Sequence, residues 1–118
     1  MDIANVLAGL AVRDLDEAKR WYEVFFGRPA DAGPMPGLAE WRTPRGTVQL
    51  VVDERRAGGS LVTVWVRDAR RALADVVARG GPEVTLDDTT STKVLFAELT
   101  DPDGNGVTVV EVRPGAVL

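Results

Sequence analysis

Apolar residues alternate with polar or small ones in several stretches of the chain and recur at helical spacing in two others. Val6 to Val12 has strand character. Leu15, Ala18, Trp21, Tyr22, Phe25 and Phe26 then mark one face of a helix. Asp14 stands where an N-cap belongs, and Gly27 stands where a helix stops by entering left-handed backbone. After a loop to Pro36, with a short strand expected around Arg28 to Ala30, Leu38 to Thr43 and Gly46 to Val52 predict a hairpin about Pro44-Arg45-Gly46. Beyond a linker at Arg55 to Ser60, Leu61 to Val66 predicts a strand. A helix from about Ala69 to Arg79 stops at Gly80-Gly81, and a short strand is expected at Glu83 to Leu86. Lys93 to Leu99 faces Gly106 to Val112 across the turn Asp101-Pro102-Asp103-Gly104-Asn105.

The second half repeats the first. Val12-Arg13-Asp14 returns 54 residues later as Val66-Arg67-Asp68, and the same offset carries Ala18 onto Ala72 and Gly27 onto Gly81. Farther on the offset is 58: Ala39-Glu40 matches Ala97-Glu98, and Thr43-Pro44-Arg45-Gly46 matches Asp101-Pro102-Asp103-Gly104. A repeat of this length is one supersecondary unit that buries its apolar face against its copy. At 118 residues the chain suits one core. The expectation is a single α+β domain of two tandem units, about 1–54 and 61–118, joined by a linker too short to tether separate domains.

Charge and composition then narrow the chemistry. A net charge of −4, with basic residues interleaved among acids, argues against nucleic acid as a partner. No apolar run approaches the ~20 residues of a membrane span. Met1 to Leu10 lacks the basic start of a secretory signal, so a cytoplasmic protein is expected. Cysteine is absent, which removes disulfides, thiolate ligands and thiol nucleophiles. Histidine is absent too, and with it the usual general base and the commonest transition-metal ligand.

Val12-Arg13-Asp14-Leu15-Asp16-Glu17-Ala18 running into Trp21-Tyr22 and Phe26-Gly27, with Asp101-Pro102-Asp103-Gly104-Asn105 near the end, resembles the vicinal oxygen chelate superfamily. That superfamily includes glyoxalase I, ring-cleaving dioxygenases and bleomycin-resistance proteins. The resemblance implies paired βαβββ modules forming a cupped mixed sheet with the helices on its convex side. It also implies a ligand in the concave side and a homodimer. In metal-dependent members the ligands come from the start of the first strand and from the last strand of each module. Carried over, these positions are Leu7, Gln49, Leu61 and Thr108. Two leucines, an amide and a hydroxyl do not repay the dehydration of a divalent cation. The expectation is therefore no metal and no cofactor, and neither glyoxalase nor dioxygenase chemistry through a metal.

Strand alternation describes the same surface independently. Ala8, Leu10 and Val12, Val48, Leu50 and Val52, and Val62, Val64 and Val66 form apolar faces suited to burial under helices. The opposite faces carry Leu7, Gly9 and Ala11, then Thr47, Gln49 and Val51, then Leu61, Thr63 and Trp65, then Gly106, Thr108 and Val110. Room, one stacking surface and sparse polar groups suit a small organic ligand, with Leu7, Gly9, Gln49, Leu61, Thr63, Trp65 and Thr108 as its expected contacts. Each has a plainer role open to it: Trp65 as filler between modules or as a dimer seal, the polar residues as solvation of a half-exposed sheet. Trp21 and Tyr22 read as helix packing, with Tyr22 the less buried of the two by its hydroxyl. Trp41 fits either the core or a pocket rim, and Glu111 a solvated strand end. The matched Glu40 and Glu98 suggest an acid and base facing one cavity, set against exposed carboxylates paired with Arg42 or Lys93. Three functions follow: metal-independent binding of an aromatic or amphipathic compound, proton-transfer catalysis by Glu98 or Glu40 in a lyase or isomerase, and an interaction module with a closed groove.

Overall fold

A computed structural model describes residues 1–117, and its elements follow the expected order. They are β1 (Leu7–Val12), α1 (Leu15–Phe26), β2 (Leu38–Thr43), β3 (Gly46–Val52), β4 (Leu61–Trp65), α2 (Ala69–Ala78), β5 (Val94–Thr100) and β6 (Gly106–Val112). Leu118, the last residue of the expected second module, lies outside the described residues. Local chemistry accounts for the helix ends. Asp14 is extended and accepts from the Glu17 amide at 3.1 Å, while Gly27 closes α1 at φ 79°. Asp68 caps α2 through the Arg71 amide at 3.0 Å. Glu111 corrects the expectation of a solvated strand end: its carboxylate takes the free Ala69 amide at 2.8 Å and so closes the same helix start from β6.

Each module is a three-stranded mixed sheet, ordered β1-β3-β2 and β4-β6-β5. The first and last strands of a module run parallel, and the hairpin is antiparallel. The short strands expected at 28–30 and 83–86 do not form. Isolated bridges, Ala32 to Glu40 and Asp87 to Phe96, stand in their place. Pro29 has no amide to donate, and side chains occupy the β2 edge instead: Arg28 donates to the Arg42 carbonyl at 2.7 Å, and Asp31 accepts from the Arg42 amide at 2.6 Å. In the second module Asp87 folds back on itself, accepting from the amides of Thr89 and Thr90 at 3.0 Å each. Those donors hold its carboxyl down at about 2.

The helices cover one face of each sheet. Beneath α1 lie Leu10, Val12, Ala39, Trp41 and Leu50, packed on Tyr22 and Phe25; beneath α2, Ala97, Leu99, Val107 and Val109 meet Leu73 and Val76. Trp41 belongs wholly to this core, its indole N–H donating to the Arg28 carbonyl at 2.9 Å. Val52 departs from the expected pattern and is exposed at the end of β3.

The two modules are clasped by the turn after β5. Asn105 is fully buried. Its carboxamide donates to the Ala11 carbonyl and to Asp101, both at 2.8 Å, and accepts from the Gly58 and Ser60 amides at 3.0 and 2.9 Å. Asp101 also accepts the Tyr22 hydroxyl at 2.8 Å, and burial, followed by the charge of Asp101, pushes the phenol pKa up. The sequence expectation made Tyr22 the less buried of Trp21 and Tyr22; it is in fact fully buried, and its hydroxyl ties the helix to the other module. Arg13 adds an amide and a guanidinium contact to Asp103. Gly58 is required here because a Cβ would lie 2.6 Å from the Asp103 carbonyl oxygen. Strand β1 and helix α1 of one module, the linker and the turn of the other thus share one saturated polar cluster.

Candidate ligand-binding face

With the helices on one side, the other face of each sheet is a small grid fixed by register. In module one the rows across β1, β3 and β2 read Leu7, Thr47, Arg42; then Gly9, Gln49, Glu40; then Ala11, Val51, Leu38. In module two, across β4, β6 and β5, they read Leu61, Gly106, Thr100; then Thr63, Thr108, Glu98; then Trp65, Val110, Phe96. All seven expected contacts, Leu7, Gly9, Gln49, Leu61, Thr63, Trp65 and Thr108, stand on these helix-free faces. Strands β1 and β4 are in contact, so the grids adjoin along their inner edges.

The two faces differ in chemistry. Glu40 is only 5% exposed, and its carboxylate accepts from Gln49 at 2.7 Å and from Arg42 at 3.0 Å. Those two partners, Gln49 first, hold its pKa down. A general acid needs the opposite shift. Because a carboxylate only accepts, Gln49 must direct its NH2 toward Glu40, which leaves its carbonyl oxygen and one N–H for other partners. Glu98, the matched residue, is exposed and has no ion pair or side-chain hydrogen bond among the described residues; Lys93 does not reach it. Glu40 and Glu98 lie on the outer strands β2 and β5, one in each sheet.

Large apolar groups are uncovered on this side. Leu61 is 80% and Trp65 66% exposed, and Leu7 is exposed as well. Trp65 therefore does not fill the groove between the modules. A hollow of about 210 Å³ lies in module one, lined by Gly9, Ala11, Val51, Asp53, Arg56 and Ser60. Of the expected contacts only Gly9 belongs to that hollow. Asp53, Arg56 and Ser60 come from the linker, which strand periodicity does not describe; only the shortness of the linker hinted that it lies against the sheet. A larger hollow, about 480 Å³, opens on the opposite side between Arg20, Arg28 and Arg79, where the helices end.

The same arrangement of modules occurs in solved structures. A glyoxalase / bleomycin resistance protein from Catenulispora acidiphila superposes with a TM-score of 0.84, at 28% identity over 92% of this chain and 98% of that one. The fold is that of the vicinal oxygen chelate superfamily. A glyoxalase/bleomycin resistance protein from Albidiferax ferrireducens (TM-score 0.67, 21% identity, 89% and 96% covered) shares it, as does a lactoylglutathione lyase from Agrobacterium tumefaciens (0.71, 18%, 94% and 95%). No protein-family model and no curated protein sequence matches the chain.

Where vicinal oxygen chelate enzymes hold a metal, the donors here do not fit one. Leu7 and Leu61 have no lone pair, Gln49 is engaged by Glu40, and Thr108 is a lone hydroxyl. No group of three or more acidic, histidine or cysteine side chains is placed to hold an ion among the described residues. No helix among them is long and apolar enough to cross a membrane.

Proposed function

We propose that this vicinal oxygen chelate domain is a metal-independent small-molecule binding protein, holding an aromatic or amphipathic organic compound on its helix-free face. The observation that carries this reading is Trp65. A tryptophan two-thirds exposed beside an uncovered Leu61, with Thr63, Thr108 and the free edge of Gln49 as sparse polar groups, is a surface lacking only its occupant. The domain works as a homodimer, with Leu7 among the residues at the edge of each site. Binding needs no bound metal.

Trp41 is buried, and Trp21 is held between Tyr22 and Phe25, so changes in fluorescence on ligand addition report Trp65. A panel of aromatic amphiphiles is expected to shift that emission and raise the melting temperature, with Trp65→Ala weakening binding by about tenfold. A panel that moves neither signal would sink the reading. Elemental analysis of purified protein is expected to find no stoichiometric divalent ion, and sedimentation to find a dimer.

A further inference from the structure

We infer that the second module's face selects a positively charged ligand: an elongated organic cation whose head lies at Glu98 and whose apolar body runs toward Trp65. This rests on the ligand-binding reading above and names the chemical class that the site takes.

The argument is a break in the internal repeat. Glu40 and Glu98 occupy equivalent places, each opposite the central residue of its grid, Gln49 or Thr108. Two residues along the same strand, module one has Arg42 and module two has Thr100. Arg42 donates to Glu40 at 3.0 Å and neutralises it. Thr100 has no charge to offer, and the amide that also holds Glu40 is replaced by the hydroxyl of Thr108. Glu98 is thus the only charged group in its grid.

Its surroundings favour a cation with an apolar body. Gly106 lacks the side chain that would fill the space beside it: a Cβ there would meet Leu61 at 2.8 Å and Glu98 at 3.2 Å. The carboxylate and one Leu61 methyl group therefore converge over bare backbone, with Thr100, Thr63 and Thr108 on the neighbouring positions of the grid. From that row to Trp65 is two further rows, about 14 Å along the strands. An ammonium head on Glu98 places its chain along Thr108 and Val110 and its far end against the exposed indole. A carboxylate head would meet Glu98 with like charge.

Three probes that share a dansyl ring and a similar spacer test this: dansylcadaverine, with a terminal ammonium, its neutral N-acetyl derivative, and anionic dansyl-6-aminohexanoic acid. Tryptophan-to-dansyl energy transfer in the intact chain reads binding. Dansylcadaverine is expected to bind about fivefold more tightly than the N-acetyl probe at low salt, a preference fading as salt rises, and the anion is expected to bind weakest. Glu98→Gln and, independently, Thr100→Arg should each abolish the preference of dansylcadaverine over the neutral probe. Equal binding of the cation and the neutral probe to the unmodified protein overturns the inference and leaves the ligand-binding reading standing. So does a preference that survives Glu98→Gln. Binding of none of the three, as when a second copy covers the face, overturns both.

Discussion

Asn105 and Asp101 are the residues on which the chain's stability should depend most sharply. Every hydrogen-bonding position of the Asn105 carboxamide is used in a fully buried site. Asn105→Ala leaves the Ala11 carbonyl and two linker amides without partners, and urea unfolding is expected to show a loss of roughly 3 kcal/mol or more. Tyr22→Phe removes a single donor from Asp101 and should cost about 1–2 kcal/mol. Asp87 gives a pH signature. Its folded pKa of about 2 lies below the ordinary carboxylate value, so its contribution is complete above pH 4 and lost as pH falls toward 2. Asp87→Asn should flatten the acid limb of a stability curve in that window, and an unchanged limb would refute the assignment. Residue roles of this kind were the least legible in the sequence. Asp-Pro-Asp-Gly-Asn reads correctly as a turn, but the same short polar side chains also build a buried cluster, and local sequence does not say which partners arrive from distant segments. The Arg42 and Thr100 difference, by contrast, was already present in the 58-residue offset that matched Glu40 with Glu98, and it became informative once register put each pair on one face.

Among the elements, the helices and hairpins were legible almost to the residue because each carried both a period and a stop. Asp14, Gly27 and the turn at Pro44 mark ends as clearly as the apolar spacing marks interiors. The two short strands failed for a reason outside periodicity: side chains of Arg28 and Asp31 took the backbone partners that a strand would have used. One helix end also depends on the other module. Helix α1 has no basic residue in its last turn, and Arg79, just past α2, supplies the charge by donating to the carbonyls of Val24 and Phe25 at 2.6 and 2.9 Å. Arg79→Gln is expected to destabilise by about 1 kcal/mol, seen as a lower urea midpoint with an unchanged slope.

For the whole molecule, the duplication explains why the two helix-free sheets adjoin as related halves of one domain. The modules adjoin along β1 and β4, and the clasp ties them at the end where the linker passes. The first module contains the only fully buried tryptophan, whereas far-ultraviolet circular dichroism samples both modules. Their urea transitions are expected to coincide, and separate midpoints would show that the modules unfold independently. The fold was legible at this scale because repetition is a global signal. The helix-free face was legible only as a set of positions, since exposure and pairing depend on register across strands far apart in sequence. Tyr22 turns the seam into something measurable by absorbance. It is the only tyrosine in the chain, its phenol is sealed between the modules, and its pKa is driven upward, so stability is retained below the ordinary phenol pKa near 10 and declines above it. In an alkaline titration the phenolate band should therefore stay silent through that pH and rise only as the two halves part. A single ultraviolet wavelength thus becomes a gauge of whether the repeats are still joined.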